Sequence, residues 1–175
     1  MPDQVVAEVV ALSRQAHERL LKVVDDLDDE HLNWRPAPKA HCIGYILWHT
    51  ARADDNMQAD LAGGDTLWDR DRYFERWGHP EKGVGMGWDD EAAASLPIPP
   101  KAELLEYVRR VFAACDAASG TIDEARFGAT QRSRFMSREA TAGDVLLTGI
   151  THDNRHLGEM EYVKGLQGLR GTVTR

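Results

Sequence analysis

Apolar residues recur at helical spacing in four segments of the chain, which are therefore predicted to be helices. The predicted helices span approximately residues 3–26, 42–62, 101–118 and 141–165. Gly63 and Gly64 mark the end of the second helix, because glycine favours the left-handed conformation that closes helices. Thr141, followed three residues later by Asp144, resembles a capping box at the start of the fourth. The pattern predicts an all-α fold.

The connection between the second and third helices, residues 63–100, is unusually long. It contains five aromatic residues: Trp68, Tyr73, Phe74, Trp77 and Trp88. A structureless loop of this length is uncommon, so part of it is expected to pack or to form short helices. The connection is long enough to cross the bundle, which favours parallel second and third helices. The aromatic residues could cover a site, form a dimer surface or fill the core.

The other connections carry weaker signals. Pro36 and Pro38 predict extended backbone between the first two helices. No set of alternating strands is evident, although "SRFMSRE", residues 133–139, favours a short extended piece. At 175 residues, the chain is expected to form a single domain over 1–175.

Composition narrows the class of protein. Apolar content of 42% and charged content of 29% are typical of a globular protein. The 21 basic and 29 acidic residues give a net charge of −8, which argues against binding to nucleic acid or to an anionic membrane. Two cysteines make no disulfide framework, and neither a membrane-length apolar run nor a signal peptide is evident. We therefore expect a cytoplasmic protein.

The first candidate metal ligands are His152 and His156, which lie four residues apart in the fourth helix. They lie about 40° apart around the helix, at the edge of its apolar face. Their Cβ atoms are expected about 5–6 Å apart, which allows two imidazoles to bind one ion. Pairs at this spacing also arise by chance, with one histidine in the core and the other on the surface.

His49, at the margin of the apolar face of the second helix, is a candidate third ligand. Three histidines from two packed helices would leave a coordination position open, as in catalytic sites. Asp153 replaces the glutamate that an HExxH protease motif requires, and no Glu-x-x-His motif of a di-iron bundle occurs. Three imidazoles suit zinc, nickel, iron or copper.

Two stretches resemble a known family. "PAPKAHCIGYILWHTARAD" and "THDNRHLGEMEYVKGLQGLRG" are similar to the second-helix and last-helix regions of the DinB/YfiT-like superfamily. The resemblance implies a four-helix bundle of up-down-down-up order, a divalent-metal site on His49, His152 and His156, and a homodimer. It also implies metal-assisted reactions of small thiols, as in thiol S-transferases and mycothiol-dependent maleylpyruvate isomerase. His41 and Cys42 stand where relatives often have Ser or Asn, which leaves the helix cap open.

The predicted function is a divalent-metal-dependent enzyme that acts on a small molecule, by thiol S-transfer or hydrolysis. A low-molecular-weight thiol is a candidate co-substrate, and zinc, nickel or iron the candidate metal. The alternatives are a non-catalytic metal-binding or stress-linked interaction protein, and a bundle whose histidines are structural. Glu159 could orient a ligand histidine or act as a base, and is equally explained as a solvated residue.

Three further residues have simpler interpretations. His17 lies within the apolar stripe of the first helix and could face the site, but a core histidine bonded to a carbonyl group is favoured. Cys42 is interpreted as a small core residue rather than a nucleophile. The segment "GVGMG", residues 83–87, lacks the lysine of a phosphate loop and is interpreted as a flexible rim loop.

Overall fold

Four long helices, at nearly the positions that the apolar pattern predicts, form the body of the molecule. The computed structural model describes residues 2–172. Its elements, in chain order, are α1 (Pro2–Val24), α2 (Asp29–Asn33), α3 (Ile43–Ala62), α4 (Leu67–Arg70), α5 (Tyr73–Trp77), α6 (Asp90–Ser95), α7 (Lys101–Ser119), α8 (Glu124–Gly128), β1 (Thr130–Ser133), β2 (Arg138–Thr141) and α9 (Ala142–Leu166). The stretch predicted to be extended around Pro36 and Pro38 begins with the short helix α2.

One end of the bundle collects the last turns of α1 and α9 and the first turns of α3 and α7. The Lys164 ammonium of α9 donates to the Val23 carbonyl of α1 at 2.9 Å. Lys101, at the start of α7, donates to the Asp25 carbonyl just after α1 at 2.8 Å. The first turn of α3 packs on Ile98, shortly before α7. The long helices therefore run up-down-down-up, and α3 and α7 are parallel, which confirms the predicted order.

The long crossover forms three short helices, as predicted, and supplies part of the core. Trp68, Tyr73 and Trp77 are buried against Tyr107 of α7, with ring centroids 4.6–5.8 Å apart. Burying aromatic rings of this size contributes strongly to stability. These three residues fill the core, while Trp88 lines a cavity.

The region after α8 contains a β-hairpin, where the sequence predicted only one extended piece over 133–139. β1 and β2 pair in antiparallel fashion. Between them, the Asp60 carboxylate of α3 accepts hydrogen bonds from the Ser133 hydroxyl at 2.6 Å and from the amides of Arg134 at 3.0 Å and Phe135 at 3.1 Å. The hairpin is thus held by a contact with a distant helix, which no local pattern in the sequence reports.

The capping signals read from the sequence are confirmed at two helix ends. Gly63 closes α3 with a φ of 74°, a left-handed conformation that glycine adopts without strain. At the start of α9, the Thr141 hydroxyl accepts from the Asp144 amide, and the Asp144 carboxylate accepts from the Thr141 amide, both at 3.0 Å. This reciprocal pair satisfies two backbone donors at the helix start.

A Thr141→Ala substitution is expected to lower the free energy of unfolding by about 1 kcal/mol, since the capping hydroxyl is lost. Urea denaturation followed by circular dichroism measures the change. Thr151→Ala is the matched control, because Thr151 is an exposed residue in the middle of the same helix. An equal loss of stability in both variants would contradict a specific capping role.

Across residues 2–172, no helix combines the length and the apolar character that crossing a bilayer requires.

Candidate metal centre

Three histidines from α3 and α9 converge in the middle of the bundle. His49 lies in the second turn of α3, and His152 and His156 occupy successive turns of α9. The Nε2 atoms of His49 and His152 are 3.2 Å apart, and one nitrogen from each ring lies within 4.8 Å of the others. Nitrogen atoms that each lie about 2.1 Å from one ion are at most about 4.2 Å apart. Small inward movements would therefore place all three rings on one ion.

Two of these histidines are held at Nδ1 by hydrogen bonds. His49 Nδ1 donates to the Val84 carbonyl at 2.5 Å, and His156 Nδ1 donates to the Glu159 carboxylate at 2.7 Å. A proton on Nδ1 leaves the lone pair on Nε2, which is the tautomer that binds a metal. The tautomers and ring orientations therefore suit coordination through Nε2.

His152 has a weaker outer partner. Its Nδ1 is buried without a hydrogen bond from the described residues, and Oδ1 of Asp153 lies 3.6 Å away. Phe135 packs edge-on against the ring at 6.0 Å. The nearby carboxylate favours a proton on Nδ1, which again directs the lone pair of Nε2 toward His49.

The surroundings keep two of the imidazoles neutral. Burial, followed by the charges of His156 and His152, lowers the pKa of His49 to about 4, against the opposing effect of its hydrogen bond to Val84. Burial, followed by His152 and Arg155, lowers the pKa of His156 to about 3. A histidine whose pKa is lowered is protonated only at a lower pH, so both rings are neutral at pH 7. Neutral imidazole is the form that binds metals.

Arg155 occupies the coordinating face of His156. Its guanidinium donates to His156 Nε2 at 2.9 Å. The Arg155 side chain is 62% exposed. Because it is long and largely solvated, it can turn away from Nε2 without uncovering the core.

Two cavities, of about 280 and 540 Å³, meet at His49, Met86 and Arg155. The smaller is lined by aromatic and polar residues that include His41, Tyr45, Trp88 and Glu159. The larger is lined by Arg52, Asn56, Lys82, Arg134 and Phe135, among others. Met86 is 75% exposed, so its part of the rim faces solvent. The histidines are thus reachable by a small molecule.

The rim loop 83–87, predicted only to be flexible, binds two side chains of α3 through its carbonyl groups. Besides the Val84 carbonyl that holds His49, the Gly85 carbonyl accepts from the Tyr45 hydroxyl at 3.3 Å. Gly85 has a φ of 89°, and a Cβ atom there would lie 2.4 Å from the Tyr45 hydroxyl. Only glycine fits this position. The glycine-rich composition was the available signal, but it did not indicate which carbonyl would meet His49.

The other residues considered from the sequence, His17, Cys42 and His41, lie outside the three-histidine group. His17 is buried, and its Nδ1 donates to the Asp116 carboxylate at 2.9 Å, not to the carbonyl group that the sequence favoured. Cys42 is buried, and its sulfur caps α3 by accepting from the Tyr45 amide at 3.4 Å. His41 is exposed at the edge of the smaller cavity.

The fold is an up-down-down-up helical bundle, and three of its histidines face one point beside a solvent-open cavity. The molecule is therefore a helical-bundle protein with a candidate metal site. The family model of the DinB superfamily matches residues 12–160, and the chain belongs to this family. The resemblance noted in the sequence is therefore confirmed. No functionally curated protein matches the chain.

Solved structures share the fold. A conserved protein from Enterococcus faecalis is 23% identical, with a TM-score of 0.75 over 93% of this chain and 95% of that one. A DinB-like protein from Bacillus cereus is 20% identical, with a TM-score of 0.62 over 91% of each chain. YfiT from Bacillus subtilis is 12% identical, with a TM-score of 0.60 over 94% of this chain and 89% of that one. YfiT is described as a probable metal-dependent hydrolase with an unusual four-helix bundle topology. At these identities, the likeness establishes the fold.

Proposed function

We propose that the chain is a divalent-metal-dependent enzyme that acts on a small anionic molecule, by hydrolysis or by thiol transfer. The observation that carries the proposal is the convergence of His49, His152 and His156 beside two cavities. The description of YfiT as a probable metal-dependent hydrolase points in the same direction.

The residues fit a divalent ion. His49 and His156 are neutral and are fixed at Nδ1, and His152 has a buried Nδ1 beside a carboxylate. This donor set of three imidazoles suits zinc, nickel or iron. A dication on such ligands supplies Lewis acidity, which lowers the pKa of a water or thiol that reaches it.

The protein's own groups would position the reactants. Glu159 holds His156 through Nδ1 and also lines the smaller cavity, so it can orient this ligand and accept a proton from a bound molecule. Cys42 and Cys115 are both fully buried. The nucleophile would therefore come from solvent or from a thiol co-substrate.

The charge of the larger cavity favours an anionic substrate. Its lining includes four cationic side chains, Arg52, Lys82, Arg134 and Arg155. Asp69 and Glu81 also line this cavity, and two of the cations have carboxylate partners: Arg52 lies 3.6 Å from Asp55, and Arg155 lies 3.9 Å from Glu159. Lys82 and Arg134, together with a dication on three neutral imidazoles, would supply the positive charge that attracts an anion.

The test compares matched substrates on protein loaded with Zn²⁺, Ni²⁺ or Fe²⁺. Esters and amides, and electrophiles offered with a small thiol, are each supplied with a free carboxylate and as the methyl ester. We expect turnover of the carboxylate member, lost on chelation and in a His152→Ala/His156→Ala variant. Turnover that survives in this variant would overturn the proposal. One bound ion with no turnover of any substrate would support a non-catalytic metal-binding protein instead.

Glu159→Gln is expected to lower the affinity for Zn²⁺ by roughly 10- to 100-fold, as for other outer partners of metal-binding histidines. The amide cannot accept a charge-assisted hydrogen bond from His156 Nδ1. Competition with a chromophoric chelator measures the affinity. Glu161→Gln is the control on the same helix, since Glu161 contacts Thr172 instead. Equal affinities in the two variants would exclude the positioning role.

A further inference from the structure

A second cluster of potential ligands lies in the core, between α1, α3 and α9. It consists of His17, Asp54 and Asp153, whose exposed fractions are 2%, 0% and 0%. His17 Nε2 lies 3.6 Å from Oδ2 of Asp54 and 3.7 Å from Oδ2 of Asp153. One ligand atom from each residue lies within 4.8 Å of the others. Three helices thus each contribute one donor to a single point.

The orientation of His17 is fixed from both sides. Its Nδ1 donates to Oδ1 of Asp116 at 2.9 Å, and its ring stacks on Phe112 with centroids 4.3 Å apart and planes 7° apart. The hydrogen bond places the proton on Nδ1 and leaves the Nε2 lone pair facing the two carboxylates. A carboxylate that holds a histidine in this way is the usual outer arrangement of a metal ligand.

The cluster has buried acidic groups without hydrogen-bond partners. Both oxygens of Asp54, both oxygens of Asp153 and His17 Nε2 are buried and accept no hydrogen bond from the described residues. Burial, followed by the charges of Asp153, Asp55 and Asp116, raises the pKa of Asp54 well above its usual range. Buried carboxylates without partners are costly. A cation at their centre would remove that cost.

We propose that His17, Asp54 and Asp153 bind a second divalent cation, of the class Mn²⁺, Fe²⁺ or Zn²⁺. Tetrahedral ligands about 2.1 Å from an ion lie roughly 3.4 Å from one another, close to the separations of 3.6 and 3.7 Å. Two carboxylates balance the double charge, and their oxygens favour Mn²⁺ more than three imidazoles do. The enclosed position suits a structural ion.

Asp153 connects this cluster to the three histidines. Its Oδ2 faces His17 Nε2 at 3.7 Å, while its Oδ1 lies 3.6 Å from Nδ1 of His152. An ion in the core would fix this carboxylate and, through it, the ring of His152.

The experiment counts bound Zn²⁺, which suits both sites, after refolding from urea in its presence, because an enclosed ion enters only when the bundle opens. After dialysis, wild type should retain two equivalents, and the His152→Ala/His156→Ala variant one. Adding the isosteric Asp54→Asn change to that variant should remove the last equivalent. Circular dichroism checks that each variant is folded.

Anomalous diffraction from wild-type crystals grown with Zn²⁺ gives a second measurement that needs no variant. A peak between His17, Asp54 and Asp153 is expected. One equivalent in wild type and none in the double-alanine variant, with no such peak, would overturn the second site and leave the proposed function standing. One equivalent that survives in the double variant and disappears with Asp54→Asn would support the second site and overturn the three-histidine proposal.

Discussion

A His152→Ala/His156→Ala variant is expected to lose the affinity of the three-histidine centre for Zn²⁺ by roughly 10⁴-fold. Structural zinc sites have apparent binding free energies of about 10–16 kcal/mol shared among four ligands, or roughly 3 kcal/mol for each. Losing two ligands therefore costs about 6 kcal/mol, and 1.4 kcal/mol corresponds to a factor of ten. His49 alone cannot hold the ion.

Zinc binding is measured by competition with a chromophoric chelator, at a pH of 7 where His49 and His156 are neutral. His31→Ala is the matched control, because His31 lies on α2 and bonds to Asp28 at 2.7 Å. Alanine favours helix, so neither change should unfold the protein. If the double variant retained the wild-type affinity, these histidines would be packing residues.

The largest effect on stability is expected from Asp55→Ala, at about 3–5 kcal/mol of unfolding free energy, the usual cost of breaking a buried charged network. The Asp55 carboxylate is fully buried and accepts from the amides of Leu67 and Trp68, both at 2.8 Å, from Gln58 at 3.0 Å and from the Tyr107 hydroxyl at 2.9 Å. Alanine removes the acceptor of the Leu67, Trp68 and Tyr107 donors in the core, and Gln58 keeps only its 3.4 Å bond to the Asp65 carbonyl. It also removes the carboxylate 3.6 Å from the buried Arg52 guanidinium. Such a loss is a large part of the roughly 5–15 kcal/mol that stabilises most domains.

Urea denaturation measures this change, with Tyr107→Phe as the comparison. Tyr107→Phe removes one of the four donors and keeps the ring, so a loss of about 1 kcal/mol is expected. The Asp55 network also ties α4 to α3, and the same crossover carries Val84, the acceptor of His49. Asp55→Ala should therefore weaken metal binding as well. A stability within about 1 kcal/mol of wild type would show that the network is dispensable.

The two histidine clusters differ in charge, and this difference suggests different roles. The three-histidine centre would leave a dication its full charge beside a cavity, which suits chemistry on a bound molecule. The set of His17, Asp54 and Asp153 would neutralise a dication inside the core. An ion at the first site would therefore act on ligands, and one at the second would hold helices together.

The buried acids Asp54, Asp55 and Asp153 belong to no functional motif in the sequence. Asp153 stands where a protease motif would have glutamate, and Asp54 and Asp55 match no metal-binding or catalytic spacing. A signal was present, since bulky apolar residues such as Tyr45 and Trp48 lie on several sides of the same helix. A helix that is apolar all around is buried all around, so acids within it must find partners.

The sequence by itself determined the long helices, their ends and the order of the bundle. It also placed His152 and His156 on one face and identified His49 as their candidate partner. The helices and the faces of their histidines depend on the local geometry of the α-helix, in which spacing along the chain fixes position on a face. The order follows from the length of the 63–100 crossover and from the family resemblance.

Only the tertiary structure decided which groups meet across elements. It brought His49 to His152, placed the Val84 carbonyl on His49, and enclosed Asp54 and Asp153 around His17. It also held the hairpin turn on Asp60. Distances between helices depend on how all the core side chains pack together. The apolar pattern along the chain does not specify that packing.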